Sequence, residues 1–281
     1  MKFGIAYANA GPFSDAAGAA ALATAAEEAG FESLWTVEHV VVPAGYESTY
    51  PYASSGKMAG GVDDFALPEP FVWLAYVAAL TTRIRLGTGV LILPQRNPLV
   101  VAKAAATLDA MSGGRFMMGV GAGWLEEEFT ALGVPFADRG ARTDDYLRAL
   151  RVLLSADLAS YEGDFTSFTD VYLRPLPEQR PVPLIVGGHS VRAARRAGEL
   201  GDGFFPGRGS TEQLAELWRR ARDTAERSGR DPARIELTVG CAPDPDAVGA
   251  RIDIGADRVV FGVERVDDVV ALGESILPRF A

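Results

Sequence analysis

The chain has only two histidines, and each stands among residues able to do chemistry. Histidine titrates near neutral pH, so it can pass a proton to or from an alcohol or a carbonyl. His39 follows Glu38, a carboxylate placed to hold the imidazole tautomer or to meet a cofactor ring. His189 lies in Gly187-Gly188-His189-Ser190, directly before a helical run. Free N–H groups at a helix start bind anions, and glycine lets a phosphate come close to the backbone. Ser190 either caps that helix or meets a phosphate oxygen, and Arg192, Arg195 and Arg196 add positive charge nearby. The same residues have plainer readings: a rim histidine satisfied by backbone groups, and a glycine turn with an N-cap.

Other patterns are weaker. Gly119, Gly121 and Gly123 invite a dinucleotide-binding reading, but Trp124 occupies the position where Gly-x-Gly-x-x-Gly needs its third glycine. Glycine here instead lets a flat ring, or Trp124 itself, approach the backbone. Glu126, Glu127 and Glu128 read mostly as a solvated helix face. Cys241 has no companion cysteine and reads as a small buried apolar residue. The sequence has no His-x-x-x-His or Cys-x-x-Cys spacing, so no metal site is expected. It also lacks a Gly-x-Ser-x-Gly elbow and a Walker loop.

These side chains need a scaffold, and the hydrophobic pattern supplies one. Short apolar runs alternate with longer helical patterns from end to end. Strands are expected at Lys2 to Ala8, Ser33 to Val37, Ile84 to Leu93, Arg115 to Gly121, Pro183 to Gly187, Gly203 to Pro206, Ile235 to Cys241 and Asp257 to Gly262. Helices follow at about Asp15 to Ala29, Glu69 to Leu80, Pro98 to Met111, Ala141 to Leu154, from Ser190 to near Gly201, Ser210 to Arg227, Asp246 to Ile254 and Val266 to Leu277. Ser210 and Gln213 have the spacing of a capping box. Continuous apolar strands such as 115–120 and 183–187 suit a parallel sheet covered on both faces. Eight such units close into a (β/α)₈ TIM barrel more naturally than into a doubly wound sheet, so residues 1–281 read as one barrel domain of the α/β class. Ligands of such barrels bind at the C-terminal ends of the strands, where both histidines fall. Two segments lie outside the repeat. Residues 43–68 read as a rim loop or lid, or else a disordered excursion, and 161–165 as a small turn or hairpin.

Composition narrows the partners. The net charge is -10, so most of the surface repels nucleic acid and anionic membranes, and an anionic cofactor needs a local nest of amides or arginines. A single cysteine excludes an internal disulfide and fits a reducing cytoplasm. No apolar run approaches the roughly 20 residues that span a bilayer, and the N-terminus reads as a strand rather than a signal peptide.

Four stretches together resemble the luciferase-like monooxygenase superfamily: GlyPheGluSerLeuTrpThrValGluHis (30–39), 83–98, 108–124 and GlyGlyHisSer with GlyAspGlyPhe (187–204). Within it the chain is most similar to the branch that uses the deazaflavin coenzyme F420, with FMN as the alternative. The resemblance implies a luciferase-like barrel with a tricyclic ring across the strand ends. It implies a non-prolyl cis peptide at Gly89–Val90 behind that ring, with Gly121, Gly123 and Trp124 beside it. Glu38 and His39 match the acid–base pair, and Gly187, Gly188, His189 and Ser190 would meet the cofactor phosphate. The polyglutamate tail needs a basic exit, for which Arg96, Arg208 and Lys57 are the candidates. The sugar-phosphate dehydrogenases of the family carry a glutamate where Trp124 stands here, so a more apolar, uncharged small-molecule substrate is expected. The implied activity is hydride transfer between deazaflavin and that substrate in a homodimeric enzyme. The rivals are an FMN-dependent monooxygenase and a non-enzymatic flavin-binding protein.

Overall fold

A computed structural model describes residues 1–51, 55–58, 61–207 and 209–280. β1 (Lys2–Ala6), α1 (Ala16–Glu28), β2 (Ser33–Thr36) and α2 (Pro70–Leu80) form the first two units. β3 (Arg85–Thr88), β4 (Leu91–Ile92) and α3 (Pro98–Met111) form the third. β5 (Phe116–Gly121) is followed by a short α4 (Glu126–Ala131) and a longer α5 (Arg139–Leu153). A hairpin of β6 (Ala159–Glu162) and β7 (Ser167–Val171) then leads to β8 (Leu184–Gly187) and α6 (Val191–Leu200). The last units are β9 (Gly203–Phe205) with α7 (Thr211–Arg227), β10 (Glu236–Gly240) with α8 (Pro245–Asp253), and β11 (Arg258–Gly262) with α9 (Val266–Ser275).

The parallel pairings run β1–β2–β3–β5–β8–β9–β10–β11 and return to β1, which closes the barrel. β4 continues the third strand beyond a break, and Leu91 and Ile92 pair with Val120 and Gly121. The expected strand from Ile84 to Leu93 is therefore two pieces, divided at a cis Gly89–Val90 peptide.

Local chemistry sets the helix starts. Asp15 accepts the Gly18 N–H at 2.8 Å, and Asn97 accepts those of Leu99 and Val100 before Pro98 opens α3. The Ser210–Gln213 capping box forms as its spacing requires. Glu27, near the end of α1, accepts the N–H groups of Thr82, Arg83 and Ile84 and so ties α1 to the approach of β3.

Most of the apolar core lies between strands and helices, but the barrel interior has its own filling. Trp35 is fully buried there with Met117, Ile185 and Val260. A Cβ on Gly87 would stand 2.6 Å from the Trp35 ring, so that strand carries glycine to let the indole in. Toward the N-terminal end, Arg258 is fully buried, makes a two-pronged ion pair with Glu32 and lies under the Trp35 ring at 5.5 Å. These side chains fill the interior, and a large open space lies above them.

Candidate active site

That space is a cavity of about 1330 Å³ at the C-terminal rim of the strands. All of the residues singled out above as catalytic or cofactor-binding line it, brought together from β2, the β3–β4 break, the end of β5 and the turn after β8.

His39 follows β2 and lies on the cavity wall with its side chain only 10% exposed. Its Nδ1 is 2.9 Å from Oε2 of Glu128, whose side chain is fully buried. The other oxygen of Glu128 accepts the Val40 and Val41 N–H groups at 2.6 and 3.3 Å. A carboxylate held this way makes Nδ1 the protonated nitrogen, which leaves Nε2 for proton traffic.

Two expectations are corrected here. Glu38 does not orient His39. Its carboxylate is gripped by the Arg96 guanidinium and the Ile92 N–H, and Arg96 also reaches Glu69 at 3.1 Å. Burial pushes the Glu38 carboxyl above the ordinary carboxylate range, against the pull of Arg96 and Ile92 and with the charge of Glu128 adding to the rise. The 126–128 cluster is not mostly solvated either. Glu126 faces solvent, Glu127 accepts the Glu47 and Ser48 N–H groups at 2.8 and 3.0 Å, and Glu128 is buried on His39. Leu125, Glu128 and Phe129 share one inward face at i, i+3 and i+4 spacing, the signal by which Glu128 is readable in the sequence.

Trp124 is a cavity wall shared with the rim loop. Its ring meets His39 edge-on at 5.8 Å, Tyr46 at 5.6 Å and Tyr50 at 5.1 Å. Tyr46, Met58 and Leu125 form a small apolar cluster with Trp124, Val42, Tyr50 and Phe65 against it. Tyr46, Tyr50, Met58 and Phe65 thus pack the 43–68 segment onto the rim, while 52–54, 59 and 60 lie outside the described residues.

Val90 projects between the ends of β5 and β8. A Cβ on Gly121 would stand 2.6 Å from one Val90 methyl, and a Cβ on Gly187 2.4 Å from the other. Gly123 has φ +80, and a side chain there would strike Ile92 and Phe129. Gly188 has φ +118, which an L side chain rarely adopts. Ser190 acts as the N-cap of α6 and accepts the Ala193 N–H at 3.1 Å, so its oxygen already serves the helix. Burial lowers the pKa of His189, which favours the neutral ring. A broad, side-chain-poor face at Gly89, Gly121 and Gly187, next to a helix start, suits a flat ring carrying an anionic tail.

The expected basic exit is differently built. Arg96 is committed to Glu38 and Glu69. Lys57 donates to the Tyr46 carbonyl at 2.6 Å and lies 3.9 Å over its ring. Arg208 lies outside the described residues. Arg196 is held by Asp144 and the Gly140 carbonyl. Arg139, Arg192 and Arg251 line the cavity, and neither Arg139 nor Arg251 figured among the candidates drawn from the sequence. Cys241 is half-buried on the cavity wall, and burial raises its thiol pKa, as fits an unreactive residue. Among the described residues no cluster of His, Cys, Asp or Glu could hold a metal ion, and no helix is long and apolar enough to cross a membrane.

Comparison with known proteins agrees with this geometry. An uncharacterized protein of Mycobacterium tuberculosis is 36% identical over 242 residues, covering 86% of this chain and 83% of that one. The F420-dependent glucose-6-phosphate dehydrogenase of Kineococcus radiotolerans is 34% identical over 223 residues, covering 77% of this chain and 60% of the relative. The crystal structure of the monooxygenase RslO1 from Streptomyces bottropensis superposes with a TM-score of 0.77 at 26% identity, covering the whole of both chains. The model of the luciferase-like monooxygenase family matches residues 1–247, and the chain belongs to that family, as an oxidoreductase of the luciferase-like type.

Proposed function

We propose that the chain, working as one unit over residues 1–281, binds the deazaflavin F420 in the rim cavity and transfers a hydride between it and a small, largely apolar organic substrate. The observation that carries this reading is the fixed imidazole: Nδ1 of His39 is held by buried Glu128 on the wall of a cavity with a glycine-rich face. Deazaflavin supplies or accepts the hydride when bound. The residues do the rest. Gly121 and Gly187 let Val90 pack between the strand ends, and Val90 with Gly89 offers the surface on which the ring lies. His189 and the Val191 and Arg192 amides in the first turn of α6 meet the phosphate, since the Gly188 N–H is given to the Phe205 carbonyl and that of Ala193 to Ser190. His39 Nε2 takes a proton from an alcohol as its hydride leaves, and Glu128 stabilises the imidazolium so formed; in the reverse direction that imidazolium gives its proton to a carbonyl oxygen. Trp124 and the packed rim loop keep water from that atom. Glu38 anchors the β3–β4 break through Ile92 and Arg96, and so acts on the shape of the ring site rather than on the proton.

The family likeness to a monooxygenase gives a second reading, in which FMN occupies the same cavity and the substrate is oxygenated. Anaerobic titration with each cofactor, followed by oxygen-uptake measurements, separates the two. The expected result is tight binding of the deazaflavin and no cofactor-dependent oxygen consumption. Tight FMN binding with oxygen uptake overturns it.

We also propose a homodimer. α2 is apolar all round, and Val72, Tyr76 and Leu80 on its outer side are 69%, 42% and 45% exposed. A stripe of this kind suits burial against a second copy.

A further inference from the structure

The charge of the cavity is opposite to that of the protein. The chain carries a net charge of -10, yet the charged side chains lining the cavity among the described residues are one glutamate, Glu38, and four arginines, Arg139, Arg192, Arg196 and Arg251. Glu38 and Arg96 neutralise each other, and Arg196 is matched by Asp144. Arg139 and Arg192 have no such match. Arg139, the first residue of α5, donates to the carbonyls of Gly123 and Phe136, at 3.2 and 3.1 Å, and lies 3.7 Å over the Phe136 ring, with no carboxylate in an ion pair with it among the described residues. Arg192, in the first turn of α6, has no hydrogen-bond or carboxylate partner among the described residues.

The two guanidiniums line the same cavity from neighbouring helix starts. A Cβ on Gly140 would stand 3.2 Å from Arg192 Nη1, so Arg192 lies across the first turn of α5, next to Arg139. Burial lowers the Arg139 pKa, Glu126 raises it, and the charge of Arg192 lowers it again. Two cations on one cavity wall, at the positive ends of two helices, repel each other, and an anion between them relieves that repulsion.

We propose that Arg139 and Arg192 form an anion clamp at the cavity mouth that holds the carboxylate-rich tail of the cofactor, beyond the phosphate met at His189 and the first turn of α6. The clamp rests on the deazaflavin reading of the cavity. It supplies a basic exit from side chains on the cavity wall itself, which neither Arg96, paired with Glu38 and Glu69, nor Lys57 lines.

The test is a fluorescence-polarisation titration. The ligands are the deazaflavin with its glutamate tail and the same ring cut back to its ribityl phosphate. The proteins are wild type, R192Q, R139Q, R139K and the double glutamine variant. The expected result is that each glutamine substitution weakens the tailed ligand about tenfold. The double variant should also lose most of the salt dependence of binding, while the cut-back ring binds every variant alike. R139K keeps the charge but not the bonding pattern to Gly123 and Phe136, and should recover most of the affinity. Equal losses for both ligands, or none for the tailed one, overturn the clamp. So does an R139K that behaves as R139Q, since Arg139 is then only a latch between loops. If wild type binds neither deazaflavin, the cofactor reading fails by itself. The clamp, being a site for the tail, falls with it, whereas the outcomes above overturn the clamp while the cofactor still binds.

Discussion

His39 and Glu128 should divide their effects between proton transfer and binding. H39A is expected to lower kcat by roughly 10²–10⁴-fold, the usual worth of a general acid or base, while leaving the deazaflavin dissociation constant nearly unchanged. E128Q keeps the shape but not the charge that supports the imidazolium. It should lower kcat less than H39A and change the pH dependence of kcat, whereas a merely structural glutamate would leave that profile alone. Steady-state kinetics with cofactor titration check both; an H39A enzyme with wild-type kcat removes His39 from the mechanism. The sequence made His39 visible because histidine is rare here and falls at a strand end. It hid Glu128, because three consecutive glutamates look solvated until the face shared with Leu125 and Phe129 is considered. It paired Glu38 with His39 by adjacency, although successive residues on leaving a strand point different ways and Glu38 meets Arg96 instead.

At the scale of elements, the ring site depends on strands that carry glycine where a neighbour intrudes. G187A places a methyl 2.4 Å from Val90 and should displace it, weakening cofactor binding with a stability cost of about 1–3 kcal/mol. V90A should relieve the clash, so the G187A/V90A pair is expected to be more stable than G187A alone, as a double-mutant cycle by urea denaturation would show. The α1–β3 tie makes a separate prediction. Desolvation raises the Glu27 carboxyl, but the Ile84, Arg83 and Thr82 N–H groups outweigh it and bring the pKa down to about 2. A folded-state pKa below the unfolded value stabilises the fold above the unfolded pKa, and that contribution fades as pH falls from about 4.5 toward 2. E27A should therefore cost about 1–2 kcal/mol at pH 7, with the gap to wild type narrowing below pH 4.5. A gap independent of pH would contradict the carboxylate's role. The strand–helix alternation and the capping box were legible in the sequence because local periodicity and cap chemistry write them. The division of the third strand follows from no local pattern, and came into view only through the family resemblance.

At the scale of the whole molecule, an acidic protein surrounds a cavity whose charged lining, among the described residues, is mainly arginine. Closure of the ring of strands was legible from the count of eight units, but the charge of the mouth was not. It is assembled from α5 and α6, more than fifty residues apart in sequence for Arg139 and Arg192. Whole-molecule assembly rests on the outer face of α2. V72D should convert a dimer to a monomer in sedimentation equilibrium without loss of helical signal; a wild type that sediments as a monomer at micromolar concentration would contradict the dimer.

The most direct measurement is a crystal structure of the protein grown with deazaflavin. The expected result is the ring lying over Val90 and the glycines at 89, 121 and 187, with His39 Nε2 facing the space beside the hydride-carrying carbon. A ring bound elsewhere, or held with His39 turned away from that space, would contradict the proposed chemistry.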